Sequence, residues 1–260
     1  MHEAPARFVC SRCGSFGCEA CAFSTLPGRE VCQGCAELGL GEPIPWERRK
    51  EQGNWSAFWR TAKLATREPT KFFRTPTTQE SVFGAVAHGA LTYTLGSMLG
   101  YVLSALLVMI GGGAIAMTLP NSDSNMVGEL VGFYGCMLLG MSPLALVFGP
   151  ANAIFGLVFA AACSHATLAL FGKANAGFES TLRALSYTNA PRIVFFVPVL
   201  GLFAWFWMLG MEVIALRETH RTSTDVAALA ALGYRVIAIG GLVGFYVLMI
   251  VAVALSAPPA

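Results

Sequence analysis

Polar and apolar positions divide this chain in two. Up to about residue 80 they alternate in short runs, and from Val82 onward long, nearly uncharged apolar stretches follow one another. Five stretches predict membrane spans: one within residues 82–119, then about 127–148, 152–171, 193–214 and 235–255. Roughly 20 apolar residues suffice to cross about 30 Å of hydrocarbon. The first stretch is longer than one crossing needs, so its front third is expected along the interface, and Gly111, Gly112 and Gly113 permit a kink at its far end. The polar run Asn121 to Asn125 predicts a turn, and Gly149-Pro150 predicts a tighter one.

Ahead of the spans, Trp55, Phe58, Trp59, Ala62 and Leu64 recur at roughly helical spacing, with Arg60, Lys63 and Arg67 between them. Two arrangements suit this pattern: an interfacial helix on an anionic cytoplasmic leaflet, or an amphipathic connector packed on the membrane domain. Pro69 ends the helix, because proline disfavours helical geometry in the residue before it. Phe72 and Phe73 are expected to anchor the chain at the membrane edge.

Composition agrees with a chain mostly in lipid. Hydrophobic residues make up 55% and charged residues only 12%, against roughly 25% charged in soluble domains. Residues 1–80 carry 11 of the 17 Lys and Arg, which places the N-terminal part in the cytoplasm. An odd number of spans then leaves the C-terminus outside, in the cell membrane if the source is bacterial. Lys173, Arg183 and Arg192 would fall outside as well, against the charge rule. Either residues 172–190 lie flat at the interface, or one span is re-entrant and the count is four.

Three Cys-x-x-Cys pairs crowd into the first 35 residues: Cys10/Cys13, Cys18/Cys21 and Cys32/Cys35. Each such turn presents two thiolates from one corner, and two corners close a tetrahedral zinc site. Cys13 and Cys32 are separated by 18 residues, which is zinc-ribbon spacing. Zinc is therefore assigned to Cys10, Cys13, Cys32 and Cys35, with Cys18 and Cys21 an alternate or partial ligand pair. No apolar leader stands in residues 1–8, so a reducing compartment and metal are expected in preference to disulfides. Cys136 and Cys163 lie singly in apolar runs and are read as packing residues. Arg7, Arg12 and Arg29 are offset by Glu3, Glu19, Glu30 and Glu37, so the module has no nucleic-acid footprint.

The domain division is thus a zinc module in 1–40, a basic aromatic linker and interfacial helix in 41–80, and a transmembrane domain in 81–260. The fold class is all-α, a polytopic helical membrane domain of about five spans behind a zinc-ribbon or B-box-like module. His88 and His165 are the ionisable groups of interest in the apolar runs, each read as a neutral imidazole bonded to a carbonyl or hydroxyl. Glu212 is expected either to snorkel to the interface or to pair with Arg217 or Arg235. No H-E-x-x-H, G-x-S-x-G or phosphate-binding loop occurs, so the chain is read as no enzyme. It is read as a membrane scaffold or adaptor with a cytosolic protein partner, with homo-oligomerisation open. The alternative is a small transporter or channel subunit regulated by the zinc module, because Gly/Pro-interrupted spans also mark transporters.

Residues 55–255 resemble the Yip family, the Rab-interacting five-span membrane proteins, in its bacterial type. The resemblance rests on Pro69 with Phe72-Phe73, Thr181-Leu182-Arg183 with Tyr187, Pro198 and Gly201, and Trp207, Gly210 and the run Arg217 to His220. The cysteine region resembles B-box-like zinc modules fused to such domains, but only His2 precedes Cys10 where a further Cys/His pair would stand. In the eukaryotic family the resemblance implies a cytosolic N-terminus, a lumenal C-terminus and a role in membrane trafficking through GTPase or other protein contacts. A bacterial-type member has no Rab partner to meet.

Overall fold

The computed structural model describes residues 6–10, 16–26, 29–37, 44–74, 82–119 and 121–256. Among the described residues the N-terminal part holds two antiparallel strand pairs, a 3-10 turn (Glu19–Cys21) and one short helix. Strand β1 (Phe8–Val9) pairs antiparallel with β2 (Phe16–Gly17), and β3 (Ala22–Leu26) pairs antiparallel with β4 (Arg29–Cys32), followed by α1 (Gln33–Glu37). The Phe8 ring lies over Gly17, where a Cβ would come within 2.4 Å of it.

A 3-10 turn (Pro45–Arg48) and α2 (Arg49–Gln52) lead into α3 (Asn54–Arg67), and α4 (Pro69–Arg74) follows at once. Pro69 ends α3 as expected and occupies the first position of α4, where its missing N–H costs nothing. Ala57, Phe58, Thr61, Ala62 and Ala65 are buried, whereas Trp55 and Trp59 face outward. The aromatic stripe is therefore split between two faces, and the connector arrangement describes the inner one. Phe72 and Phe73 are also buried, with Phe72 edge-on to Tyr187 at 5.3 Å. They are core residues of the helical body, not the membrane-edge anchor that their position suggested.

Helix α5 (Val82–Ala116) runs without a break through Gly111–Gly113, and α6 (Asn121–Leu170) runs without a break through Pro143 and Pro150. At 1.5 Å per residue they are about 52 Å and about 75 Å long. The expected turn at Gly149-Pro150 is absent. Gly149 is instead a contact residue, because a Cβ there would sit 3.0 Å from Thr94 Oγ1 on α5. The second and third predicted spans are consequently one helix. The polar run at Asn121 opens α6 instead of forming the turn, which falls at residues 117–119. The two helices form an antiparallel hairpin in one register: Gly112 meets Val131, Gly135 meets Met109 and Gly149 meets Thr94.

Beyond α6, α7 (Gly177–Thr188) and a 3-10 segment (Ala190–Phe196) run alongside α5 in the same direction, the Ser186 carbonyl resting on Gly89 and the Arg192 carbonyl on Gly96. Helix α8 (Pro198–His220) returns, and α9 (Thr224–Ser256) leaves again. The segment 181–190 is wholly buried, so residues 172–190 do not lie flat on a membrane surface. Among the described residues, four helices are long and apolar enough to cross a bilayer: α5, α6 from Ser124, α8 from Leu200 and α9 as far as Met249.

Contacts sort the chain into two ends. Trp46 Nε1 donates to the Gly84 carbonyl at 2.6 Å, Arg74 pairs with Glu218, and Asn175 donates to the His220 carbonyl. The start of α5, the α6–α7 and α8–α9 connections and residues 44–74 therefore share one polar end. Lys173 and Arg183 lie on this side, with the N-terminal cations, and Arg192 lies further along, at the level of Gly96. The conflict with the charge rule arose from counting α6 as two spans. The far halves of α5, α6 and α9 project away, with Ile110, Ile115, Phe133, Val243 and Leu248 exposed along them. An apolar surface this long is the signature of a hydrocarbon environment.

Gly96 and Gly111 provide a test on one helix. A Cβ at Gly96 would lie 2.3 Å from the Arg192 carbonyl oxygen, whereas nothing lies within 4 Å of one at Gly111. Gly96→Ala should destabilise the detergent-solubilised protein by about 1–3 kcal/mol. Gly111→Ala should be neutral or gain up to about 1 kcal/mol from helix propensity. Thermal unfolding of the two variants measures the difference, and equal effects would contradict the packing.

Candidate functional site

The zinc ligands expected from the sequence are only partly described. Cys10 follows β1 and is buried, Cys32 ends β4, and the Cys32 backbone N–H donates to the Cys10 sulfur at 3.3 Å. The fold thus brings together one cysteine from each of the two pairs assigned to the metal. Cys18 is buried before the 3-10 turn Glu19–Cys21. Cys13 lies outside the described residues, as do the side chains of Cys21 and Cys35. Among the described residues no group of three or more His, Cys, Asp or Glu is placed around one metal position.

At the polar end the N-terminal segment is locked to the helical body by a buried ion pair. Glu47 Oε1 accepts from Arg183 Nη2 and, at 3.2 Å, from the Tyr187 hydroxyl. The two charged side chains are 3% and 8% exposed. Burial, then the Glu47 charge, push the Tyr187 phenol well above its ordinary value, so it stays a neutral donor. The backbone N–H of Trp46 donates to Thr61 Oγ1 at 2.8 Å, which seats the turn carrying Glu47 on α3. Arg74 Nε donates to Glu218 Oε2 at 2.7 Å, a second link, with Arg74 39% exposed. That bond holds the Arg74 guanidinium charged, above its ordinary value despite some burial.

The histidines fall into two settings. His88 is enclosed by the rings of Trp46, Phe58 and Tyr187, with centroids 5.5, 5.1 and 5.4 Å away. Neither ring nitrogen has a well-aligned partner, the nearby Phe58 backbone being poorly placed, so the expected carbonyl or hydroxyl bond is replaced by an aromatic cage. His165 does have its hydroxyl: Nδ1 is 3.0 Å from Thr181 Oγ1, which is 2.8 Å from His220 Nε2. The Ala176 N–H donates to His220 Nδ1 at 3.3 Å. In neutral His220 the proton is therefore on Nε2, facing Thr181. This chain ties α6, α7 and α8 together where the first residue of α7 follows its connection.

Glu212 pairs with Arg235, one of the two partners expected, with Arg235 Nη2 donating to Glu212 Oε1 at 2.8 Å and Tyr234 adding a third contact. Helices α8 and α9 are joined by this pair about midway along α8. On the outer face, Arg48, Arg60, Lys63 and Arg67 line an open groove of about 490 Å3 beside the exposed Trp55 and Trp59. The basic and aromatic positions of the interfacial pattern are therefore on the surface, even though Phe58 and Ala62 are not.

Sequence reasoning missed Glu47 and the Thr181–His220 contact. A single acid between Trp46 and Arg48 carries no periodic signal, and its partner stands 136 residues on. The available signal was the charge-rule conflict at Arg183, since a cation out of place invites a search for a buried acid. Gly96 packs within the bundle, against the Arg192 carbonyl.

Glu47→Ala strands Arg183 in the interior and should cost about 3–5 kcal/mol. Arg74→Ala removes a link that is open to water and should cost about 1 kcal/mol or less. Chaotrope unfolding of the full chain in detergent measures both, and losses of equal size would contradict the central position of Glu47.

Compared with known proteins, the chain matches the family described as the Yip1 domain over residues 65–248. No curated protein and no solved structure matches. The match begins in the last turn of α3, covers α4, the hairpin, α7, α8 and most of α9, and does not include the cysteine module or residues 44–64. With its four long apolar helices, it establishes an integral membrane protein.

Proposed function

The chain belongs to the Yip1 domain family, and from that premise we propose that it works as a non-enzymatic integral membrane adaptor whose N-terminal zinc module captures a cytosolic protein partner. The observation that carries this reading is the Glu47–Arg183 lock, which fixes the segment following the module to the polar end of an otherwise apolar body. Cations gather at that end, including Lys173, Arg183, Arg217 and Arg221, whereas Arg192 and Arg235 lie further along the bundle. By the positive-inside rule it is the cytoplasmic end. The groove lined by Arg48, Arg60, Lys63 and Arg67, with Trp55 and Trp59 exposed beside it, suits contact with an anionic leaflet.

Counting α7 with the 190–196 segment as a short descending arm, the chain makes five passes, and α9 ends opposite the polar end. The N-terminus is then cytoplasmic and the C-terminus outside. Reporter fusions at residue 1 and after Ala260 should report opposite compartments, with a reporter inserted at residues 117–119 siding with the C-terminus. Both termini in one compartment would overturn the arrangement.

Zinc completes the reading. The four thiolates of Cys10, Cys13, Cys32 and Cys35 would hold one ion, which substitutes for a core that forty residues cannot build. The purified full-length protein should contain one zinc per chain. Cys10→Ser with Cys32→Ser should release it and abolish partner capture while the helices stay inserted, because the metal contributes nothing to burial in lipid. A stoichiometry near two, or metal retained in the double variant, would sink the assignment. The transporter alternative draws no support from His88, whose aromatic cage gives it no exposure to a solute path.

A further inference from the structure

A cavity of about 410 Å3 lies inside the bundle, bounded by α5, α6, the end of α7, α8 and α9. The charged groups in its wall are already engaged. Arg235 Nη2 donates to Glu212 Oε1 at 2.8 Å, the Tyr234 hydroxyl donates to the same oxygen at 3.2 Å, and the Arg192 guanidinium lies over the Tyr93 ring, 4.2 Å from its centroid. Two neutral polar groups are not fully used. Asn189, at the C-terminal end of α7, lines the cavity and is 7% exposed, yet its side-chain amide has no hydrogen-bond partner among the described residues. The Tyr93 hydroxyl accepts from Asn152 Nδ2 at 2.7 Å, and its own proton has no acceptor among the described residues. An unpaired carboxamide this deep in a native interior is costly and calls for a partner. Much of the remaining wall is apolar, with Ala153, Leu157, Leu185 and Met208. Asn152, Gly156 and Ile239 line the cavity and are exposed on α6 and α9, and those two helices are tied on the polar-end side of it, where Ser164 Oγ donates to the Ala230 carbonyl. The mouth therefore opens sideways, between two helices whose outer faces are apolar.

We propose that this cavity binds the head of an uncharged lipid bearing a free hydroxyl, of the diacylglycerol class, which enters laterally from the bilayer and leaves its acyl chains between α6 and α9. A carboxamide carries a donor and an acceptor side by side, and a hydroxyl is the small group that answers both. A quinone or ketone oxygen answers only the N–H side and leaves the Asn189 carbonyl unpaired. The Tyr93 proton suits an ester carbonyl oxygen, which in a diacylglycerol stands a few bonds from the hydroxyl. A charged head has no such place, because the Glu212 carboxylate shares the wall and the guanidiniums are engaged, so its desolvation would go uncompensated. The volume is within the range of small-molecule sites and suits a head with its first methylenes. The site is independent of the cysteine module and of the outer basic groove.

The test uses the full chain in nanodiscs of phosphatidylcholine doped equally with a diacylglycerol and with the phosphatidic acid of the same acyl chains, and reads the lipid retained after transfer to detergent by native mass spectrometry. Wild-type protein should retain the diacylglycerol over both phospholipids. Asn189→Leu, which keeps the volume and removes the amide, should lower that preference about tenfold, the worth of the hydrogen bonds to one buried group. The lipid-free variant should unfold no earlier than wild type, because an unpaired polar group has been removed. Gly156→Leu should also lower the preference by narrowing the mouth, because nothing lies within 4 Å of a Cβ there and the fold need not shift. Gly140→Leu, equally unobstructed on the same helix but away from the cavity, should behave as wild type. The proposal is overturned if wild-type protein shows no preference, the result for a cavity that holds only water, or if phosphatidic acid is retained as well as the diacylglycerol. It is overturned equally if Asn189→Leu or Gly156→Leu keeps the wild-type preference, since the lipid would then sit elsewhere or be held by its chains alone. Earlier unfolding of lipid-free Asn189→Leu would show the amide holding the fold, and would also overturn it.

Discussion

Everything in the arrangement of this protein depends on α6 being one helix. Within hydrocarbon, a turn at Gly149-Pro150 would expose several backbone N–H and C=O groups with no water to meet them. A proline kept inside the helix forfeits the bond its own nitrogen would have made and crowds the carbonyl four residues back, which is less than a whole turn of unpaired backbone. Gly149 makes the second choice favourable, because the absence of a side chain lets Thr94 approach and α5 can run beside α6 for its whole length. Once α6 is continuous, the chain returns to the side it came from. The connections at 171–176 and 221–223 then join residues 44–74 at one end, and the cations fall together.

That end is organised by charge rather than by apolar packing alone. Burying Glu47 and Arg183 costs desolvation that their attraction largely offsets, so the pair adds little net stability compared with a hydrophobic replacement. Its effect is on register. Glu47 has one place in the interior where its carboxylate finds a guanidinium and a phenol, and α3 and α4 can dock in only the one orientation that delivers it there. The Phe58, Phe72 and Tyr187 rings fill the surrounding space around His88 and convert that orientation into packing. The second link, from Arg74 to Glu218, closes the same segment against α8.

Much of this was legible in the sequence, and the failures have physical reasons. The apolar runs announced the membrane helices, Pro69 announced the α3–α4 break, and Glu212 found Arg235 because both stand close along a two-helix hairpin. The Gly-Pro step misled because in water it is a turn signal, whereas in lipid it is a contact and a tolerated proline. Phe72 and Phe73 looked like an interfacial anchor because position along the chain does not reveal which face a neighbour will cover. The cysteine spacing pointed to a metal, and the fold brings Cys10 beside Cys32.

The connection between module and body sets a geometric limit on any partner. Ile44 is buried in the body and Glu37 ends the module's last helix. Seven residue steps separate them, which even fully extended reach no more than about 25 Å. A partner held by the module is therefore confined near the polar face whatever conformation the connection takes, and its local concentration there exceeds that of a freely diffusing protein. The lock at Glu47 matters to this limit, because together with the Trp46 and Arg74 bonds it roots the tether at residue 44 rather than further along the chain. An adaptor whose chemistry is only to keep one protein beside one membrane needs no catalytic group, but it does need a short tether fixed at its root.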